Sequence, residues 1–466
     1  MKNSFKYTGQ ARLALMLITL LTTFGGCKKL IENNASGGQL LDKEVYKDST
    51  TVKGALAGMY SSLITNNRYS VLMSGFPGYS ADELTNYNLE PVNQFVLNSI
   101  LTTNTEVNNN LWSAPYSVIY AANAIIENVP AGSNLTPKFQ AQSIAEARFI
   151  RAFCYFYLIN LFGDVPLVTT TDVDANKTSP RSPEAAVYSQ ITDDLLFAQA
   201  NLPASYILSA GARTRANKWA ATALLARTYL YQGNWAAAET QATSLLDNTA
   251  LFGLEDLNRI FVPTSKEAIL QLYNDASGIN PYASAMLPSP TAPTIPKYVF
   301  TEQLKNAYAA ETGDARRTAW TITVTAPNAI VYTCPAKYKG TTPGNAEYFT
   351  LFRLGEQYLI RAEARAQLNN LTGSRADLLM IRQRAGLGAT PANDKNALLL
   401  AVERERRIEL SCEMGHRWFD LKRTARANTV LGAVKPTWKP EAALYPIPAD
   451  QRSRNGNLTQ NPGYIN

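Results

Sequence analysis

Histidine is almost absent: the 466-residue chain has one, His416. A histidine-rich metal site cannot be built from a single imidazole, and a Ser–His–Asp arrangement would have to use that residue. The four cysteines, at 27, 154, 334 and 412, form no C-x-x-C pair, which excludes a zinc ribbon and a thioredoxin-type motif. Charge is also sparse, at 17% of residues against the usual quarter. The net charge of +7 is scattered, with no Lys/Arg-rich run, so no nucleic-acid tract is expected. Neither a P-loop nor G-x-G-x-x-G occurs. Beyond the N-terminal region no 18 apolar residues run together, so no later membrane-spanning helix is expected.

What is present is apolar and aromatic. Hydrophobic residues make up 46% of the chain, enough for a large core. Tyrosine is frequent, 24 against 16 Phe and 6 Trp. An excess of Tyr suggests rings with one wet end, at surfaces and binding faces.

The N-terminus has the layout of a sorting signal. Lys2, Lys6 and Arg12 precede the apolar run Leu13 to Leu21, and Gly25 and Gly26 lead into Cys27. This order of positive, apolar and small residues marks a secretory signal, and a nine-residue run is too short to span a bilayer. A cysteine after small residues resembles a bacterial lipobox, although Phe24 stands where an aliphatic residue is usual. Residues 1–26 are therefore expected to be removed, Cys27 diacylated, and 27–42 to serve as a tether to a single domain over 43–466. Removal takes three positive charges and no acids, leaving +4.

Helical periodicity dominates that domain. Helices are expected over 45–65, 106–129, 141–162, 184–201, 215–231, 234–247, 346–369, 373–385, 395–413 and 416–427. The 141–162 stretch is apolar on two faces, as a helix buried in a layered array would be. Gly233, Trp235 and Ala238 give G-x-W-x-x-A between two amphipathic segments, the pattern of a tetratricopeptide unit. The expected fold is mainly all-α: degenerate tetratricopeptide-like helical hairpins with long irregular loop insertions near 66–104 and 250–345. Residues 320–333 alternate enough for a small β-hairpin.

Several motifs have structural explanations. Gly163 and Pro166 should terminate the 141–162 helix. Asp172, Asp174 and Asn176 imitate the start of a calcium loop, but Lys177 and Pro183 stand where Gly and Glu are required, so a surface turn is expected and no metal. In the stretch 403–423, Glu403–Arg407 is an i,i+4 pair, and Arg406, Arg407 and Arg417 are expected to neutralise Glu405, Glu409 and Glu413. Acids packed among arginines are poor general acids, which argues against glycoside hydrolysis. Cys154, Cys334 and Cys412 are expected to remain unpaired.

The insertions carry the candidate site. Sugars present apolar faces and hydroxyl rims, and so need aromatic platforms with amide, carboxylate or guanidinium partners. Arg68, Tyr69, Tyr79, Asp82, Tyr87 and Asn88 supply these types in the first insertion. Tyr273, Asn274, Tyr282, Tyr298 and Trp320 supply them in the second. The expectation is a shallow, solvent-facing site whose binding varies little between pH 6 and 8.

The segment AEARFIRAFCYFYLINLFGDVPLV (145–168) is followed by FRLGEQYLIRAEARAQL (352–368), IRQRAGL (381–387), ERRIELSCEMGHRWFDLKR (405–423) and LYPIPADQRSRNGNLTQNPGYIN (444–466). With the lipobox and the Trp112, Tyr116, Ile119, Asn123 spacing, this series resembles the SusD/RagB family of Bacteroidetes surface lipoproteins. The resemblance implies a tetratricopeptide-like scaffold on the outer membrane, facing the cell exterior. It implies a partner, a SusC-like TonB-dependent transporter that the protein caps and supplies. It implies an oligosaccharide ligand, or a peptide or other nutrient, held by loops in the two insertion regions, with no cofactor and no catalysis. A secreted hydrolase and a purely protein-binding scaffold are the rival functions.

Overall fold

The computed structural model describes residues 45–87, 91–131, 134–274, 277–289 and 294–465. Cys27, the signal and the tether lie outside these residues, as does Asn88. Labelling the longer helices in chain order, the first half contains α1 (Ser49–Ile64), α2 (Met73–Ser80), α3 (Ala114–Asn128), α4 (Pro137–Phe162), α5 (Glu184–Asn201), α6 (Lys218–Tyr231) and α7 (Trp235–Leu246). The second half contains α8 (Pro281–Met286), α9 (Glu302–Ala309), α10 (Ala315–Trp320), α11 (Leu354–Gln367), α12 (Leu371–Arg384), α13 (Lys395–Glu409), α14 (His416–Arg423) and α15 (Ala427–Val434).

The expected helical-hairpin scaffold is what the chain forms. Helices α3 to α7 pack each on the next, α7 packs on α11, and α11 packs on α12 and α13. Helix α4 is the central layer. Its Thr136 hydroxyl caps Phe139 N, and Gly163 ends it at φ +70°, a conformation glycine adopts without a Cβ clash. Phe149, Ala152, Phe153, Phe156 and Leu158 are all buried, so both of its apolar faces have a neighbour. At the α6–α7 turn, Trp235 packs against a cluster of Ala226, Leu230, Ala238 and Ala242 with Ile360 and Ala364 of α11. The small residues let three helices approach closely.

Among the described residues, three antiparallel strand pairs decorate the helices. Strand β1 (Leu84–Thr85) pairs with β3 (Val299–Phe300), β2 (Ala268–Leu272) with β6 (Phe349–Arg353), and β4 (Thr321–Thr325) with β5 (Val331–Pro335). The last is the expected hairpin.

Several local expectations are corrected. The helix expected from 346 begins only at Leu354, because Phe349–Arg353 is a wholly buried strand on β2. The 395–413 helix stops at Glu409. Cys412, Met414 and Gly415 then turn the chain at positive φ. The 416–427 helix ends at Arg423, where Ala425 at φ +56° separates α14 from α15. The first insertion is less irregular than expected: Arg68–Leu72 is a π turn leading into α2, and every residue of α2 is buried. Its sequence, MSGFPGYS, is a poor helix former, so packing overrides propensity here. A Cβ at Gly75 would lie 2.7 Å from the Tyr298 ring, so the glycine is what lets that ring lie on the helix.

The expected partners of the acidic helix are also corrected. Glu403 pairs with Arg417 and Arg426, while Arg407 pairs with Asp82. Glu405 is neutralised by Arg316 and Arg382, Glu409 by Arg316, Arg353 and Arg384, and Glu413 by Arg353 and Lys337. The cations come from distant segments instead of the same helix, because their side chains meet the acids in the core. Asp172 accepts from Ala175 N and starts a one-turn helix, which is the expected surface turn. Cys154, Cys334 and Cys412 are buried and unpaired. Cys334 lies in β5.

Candidate functional site: a seam between the two insertions

The two insertions, far apart in sequence, are sewn together. Leu84 pairs with Phe300 and Thr85 with Val299. Thr301 donates from its hydroxyl to Asp82 O at 2.6 Å and from its amide to Glu83 O at 3.0 Å. Tyr79 donates to Lys297 O at 2.8 Å and accepts from Asn86 Nδ2 at 3.2 Å. The Tyr79 and Tyr298 rings stack, with centroids 5.5 Å apart and planes 9° from parallel.

Beneath this seam the base is fixed by ions. Asp82 accepts from Arg417 Nε at 2.7 Å and Arg407 Nη2 at 2.7 Å. Burial raises the Asp82 carboxyl, but the two guanidiniums outweigh burial and hold it below its ordinary range. Next to it, Glu83 is pushed up to about 8 by burial and by the Asp82 charge, so it carries a proton at neutral pH. Its side chain accepts from Cys412 N at 3.2 Å. Burial pulls the Lys435 ammonium down to about 7. It donates to Tyr79 O, Ser80 O, Val96 O and Asn98 Oδ1, tying the end of α2 to the 96–98 segment.

Above the seam sits an exposed ring. Tyr87, 57% exposed, lies 5.3 Å from the Tyr332 ring at an interplanar angle of 59°. Tyr332 accepts from Asn328 Nδ2 at 2.9 Å, and Ile322, Ile330 and Val331 of the same hairpin are exposed. Tyr298 is half-buried, and burial pushes its phenol up to about 12. The surface thus offers one accessible ring braced by the buried Tyr332, with apolar flanks and the exposed Asn328 amide, while Asn86 is buried and donates to Tyr79.

The structure divides the residues expected at the site. Tyr87 and Tyr298 belong to the seam. Tyr273 is 53% exposed, beside Tyr348 at the end of the β2–β6 pair. Six others are corrected, being buried and so unable to act as solvent-facing platforms. Tyr69 packs against Phe153 and Tyr157, with its hydroxyl 3.5 Å from Cys154 Sγ. Tyr79 lies under the seam. Tyr282 donates to Cys412 O at 2.6 Å. Trp320 donates to Leu257 O at 3.2 Å. Arg68 donates to Ser62 O at 3.0 Å, and Asp82 is doubly ion-paired. Asn274, also buried, donates to Glu347 O. Sequence reasoning missed Tyr332 and Tyr348. The alternation over 320–333 pointed to Tyr332's hairpin but not to its contact with Tyr87. Nothing local distinguished Tyr348.

The fold is a helical-repeat scaffold with an exposed tyrosine at the seam between its two insertions. Comparisons with known proteins are specific. A model of the SusD family matches residues 299–464, and one described as "starch-binding associating with outer membrane" matches residues 39–230. A SusD-like protein of Formosa agariphila is 28% identical, over 97% of this chain and 99% of its own length. Among solved structures, a SusD superfamily protein of Bacteroides vulgatus superposes with a TM-score of 0.80 at 21% identity, covering 90% of this chain and all of its own. A laminarin-binding SusD-like protein gives 0.75 at 24% identity, with the same coverages. The chain belongs to the SusD/RagB family.

Proposed function

We propose that this protein is a cell-surface lipoprotein that binds an oligosaccharide at the Tyr87–Tyr332 seam and delivers it to a SusC-like TonB-dependent transporter. The observation that carries the proposal is the joining of both insertions by β1 and β3, which places an exposed, braced tyrosine over a rigid base. The family model described as starch-binding and the laminarin-binding neighbour support a glycan as ligand. Asp82 is held by two arginines and Glu83 is buried, so neither presents a free carboxyl for hydrolysis. Binding without turnover is the function this chemistry supports.

Anchoring rests on Cys27, which alone follows the apolar run and the small residues. Two acyl chains give stable attachment where one does not. Cys27→Ala should therefore leave the membrane fraction when the transporter is absent. Calorimetry against neutral glycans, laminarin included, tests the site. Tyr87→Ala should weaken a bound glycan by about 1–3 kcal/mol, roughly 5- to 150-fold. Normal binding by Tyr87→Ala and Tyr332→Ala would place the site elsewhere.

A further inference from the structure

A second ring pair lies outside the seam. Strands β2 and β6 end with Leu272 opposite Phe349, and Tyr273 and Tyr348 are the next residue on each strand. Their rings meet edge to face, with centroids 5.6 Å apart at 67°. Tyr273 is 53% exposed and Tyr348 half-buried. The register of a buried strand pair therefore fixes two tyrosines at the surface, where no core contact requires them.

Beside Tyr273 is a pocket of about 330 Å³, at the lower end of the size range for small-ligand sites. Its walls include Lys53, Tyr60 and Ser61 of α1, Arg215, and Leu272 before the tyrosine. No carboxylate lines it. Arg215 is committed: it donates to both oxygens of Glu146, at 3.0 and 2.6 Å, and to Leu208 O. Tyr60 donates to the same Glu146 and accepts from Ala216 N, which closes the floor. Lys53 is different: it is exposed, and no salt bridge among the described residues uses it. Its ammonium lies 5.9 Å from the Phe139 ring. The pocket thus combines an aromatic wall, hydroxyls and one uncompensated cation.

We propose that this pocket is a second carbohydrate subsite that takes an acidic sugar residue, its ring against Tyr273 and its carboxylate or sulfate toward Lys53. The inference rests on the glycan-binding function proposed above and adds a charge preference and a location the seam does not provide. An anionic sugar exploits Lys53 as a neutral one cannot, while the ring contact is indifferent to charge.

Calorimetry on the folded, unlipidated chain decides it, with three probes: a neutral β-glucan hexamer, an oligogalacturonate hexamer and a sulfated galactan oligomer. Tyr273→Ala should weaken an acidic probe roughly 5- to 30-fold and leave the neutral one unchanged. Lys53→Gln should weaken the same probe and flatten its salt dependence. Whether the galacturonate or the sulfated probe responds assigns the acid group. Tyr87→Ala should do the reverse, affecting the neutral glucan more. Acidic probes that bind wild type, Tyr273→Ala and Lys53→Gln alike overturn the subsite, as does acidic binding abolished only by Tyr87→Ala. Neutral binding at the seam with no acidic binding anywhere overturns the subsite and keeps the seam. Loss of all glycan binding in wild type overturns both.

Discussion

Tyr79, Tyr282 and Tyr87 have the same side chain and different surroundings. The first two are 1% exposed, and each gives its hydroxyl hydrogen to a main-chain carbonyl, Lys297 O and Cys412 O. Tyr206 and Tyr155 do the same for Ile269 O and Val168 O. Long loops lack ladder partners for their carbonyls, and a buried carbonyl without a donor is costly. A buried tyrosine fills volume and satisfies such a carbonyl at once, which is why tyrosine is abundant here without being mostly a surface residue. Tyr282→Ala should accordingly cost about 3–5 kcal/mol in urea unfolding. Tyr87→Ala should change stability by no more than about 0.5 kcal/mol. Glu83 gives a prediction in pH. Its folded carboxyl is raised to about 8 from an ordinary 4.5, so the folded chain holds a proton that the unfolded chain has lost across that window. Its contribution is full below 4.5 and disappears as pH rises through 8. Wild type should lose stability relative to Glu83→Gln between pH 5 and 8. Parallel melting-temperature curves for the two proteins would show that the proton is not held.

At the scale of elements, the first insertion is held by tertiary ties more than by its own helix. Helix α2 contains Gly75, Pro77 and Gly78, and is wholly buried against Tyr298, Leu84 and the turn after Glu409. Lys435, from the end of α15, closes it by gathering three carbonyls and one amide oxygen. Lys435→Met removes this donor from all four acceptors, of which Ser80 O keeps the Asn98 amide. It should raise amide exchange across 79–87, 91–98 and 297–301 well before it affects α4, whose backbone bonds are internal. Equal exchange changes in α4 would mean that the seam does not open independently.

Over the whole molecule, a charge network joins segments that the sequence keeps far apart. Arg353 at the end of β6 meets Glu267 from the start of β2, Glu409 from α13 and Glu413 from the following turn. Burial raises Glu409 and Glu413, but the surrounding cations outweigh it and hold both below the ordinary carboxylate range. Removing one partner of such a buried set strands the others, at about 3–5 kcal/mol. Arg353→Met should therefore lower the urea midpoint strongly, and Glu409→Gln should act in the same direction. A combined variant less destabilised than the sum would confirm that they belong to one network.

The sequence alone determined the helical scaffold, because a 3.6-residue apolar period identifies a buried helix face without reference to its neighbours. Helix α5 falls on 184–201 as expected, and the caps at Thr136 and Gly163 are local chemistry. The family was likewise legible, since its motifs are the residues of that scaffold. The tertiary structure decided which of the candidate residues reach the surface. Whether a tyrosine is a platform or a tie depends on what packs over it. Tyr79 and Tyr87, eight positions apart in one insertion, differ because Lys297 and Tyr298 arrive from a segment about 200 residues away. The same long-range packing turned 349–353 into a strand and gave Glu405, Glu409 and Glu413 cations from outside their own helix. Periodicity records one element's exposure to the core. Pairing between distant elements leaves no local period, so only the folded chain shows it.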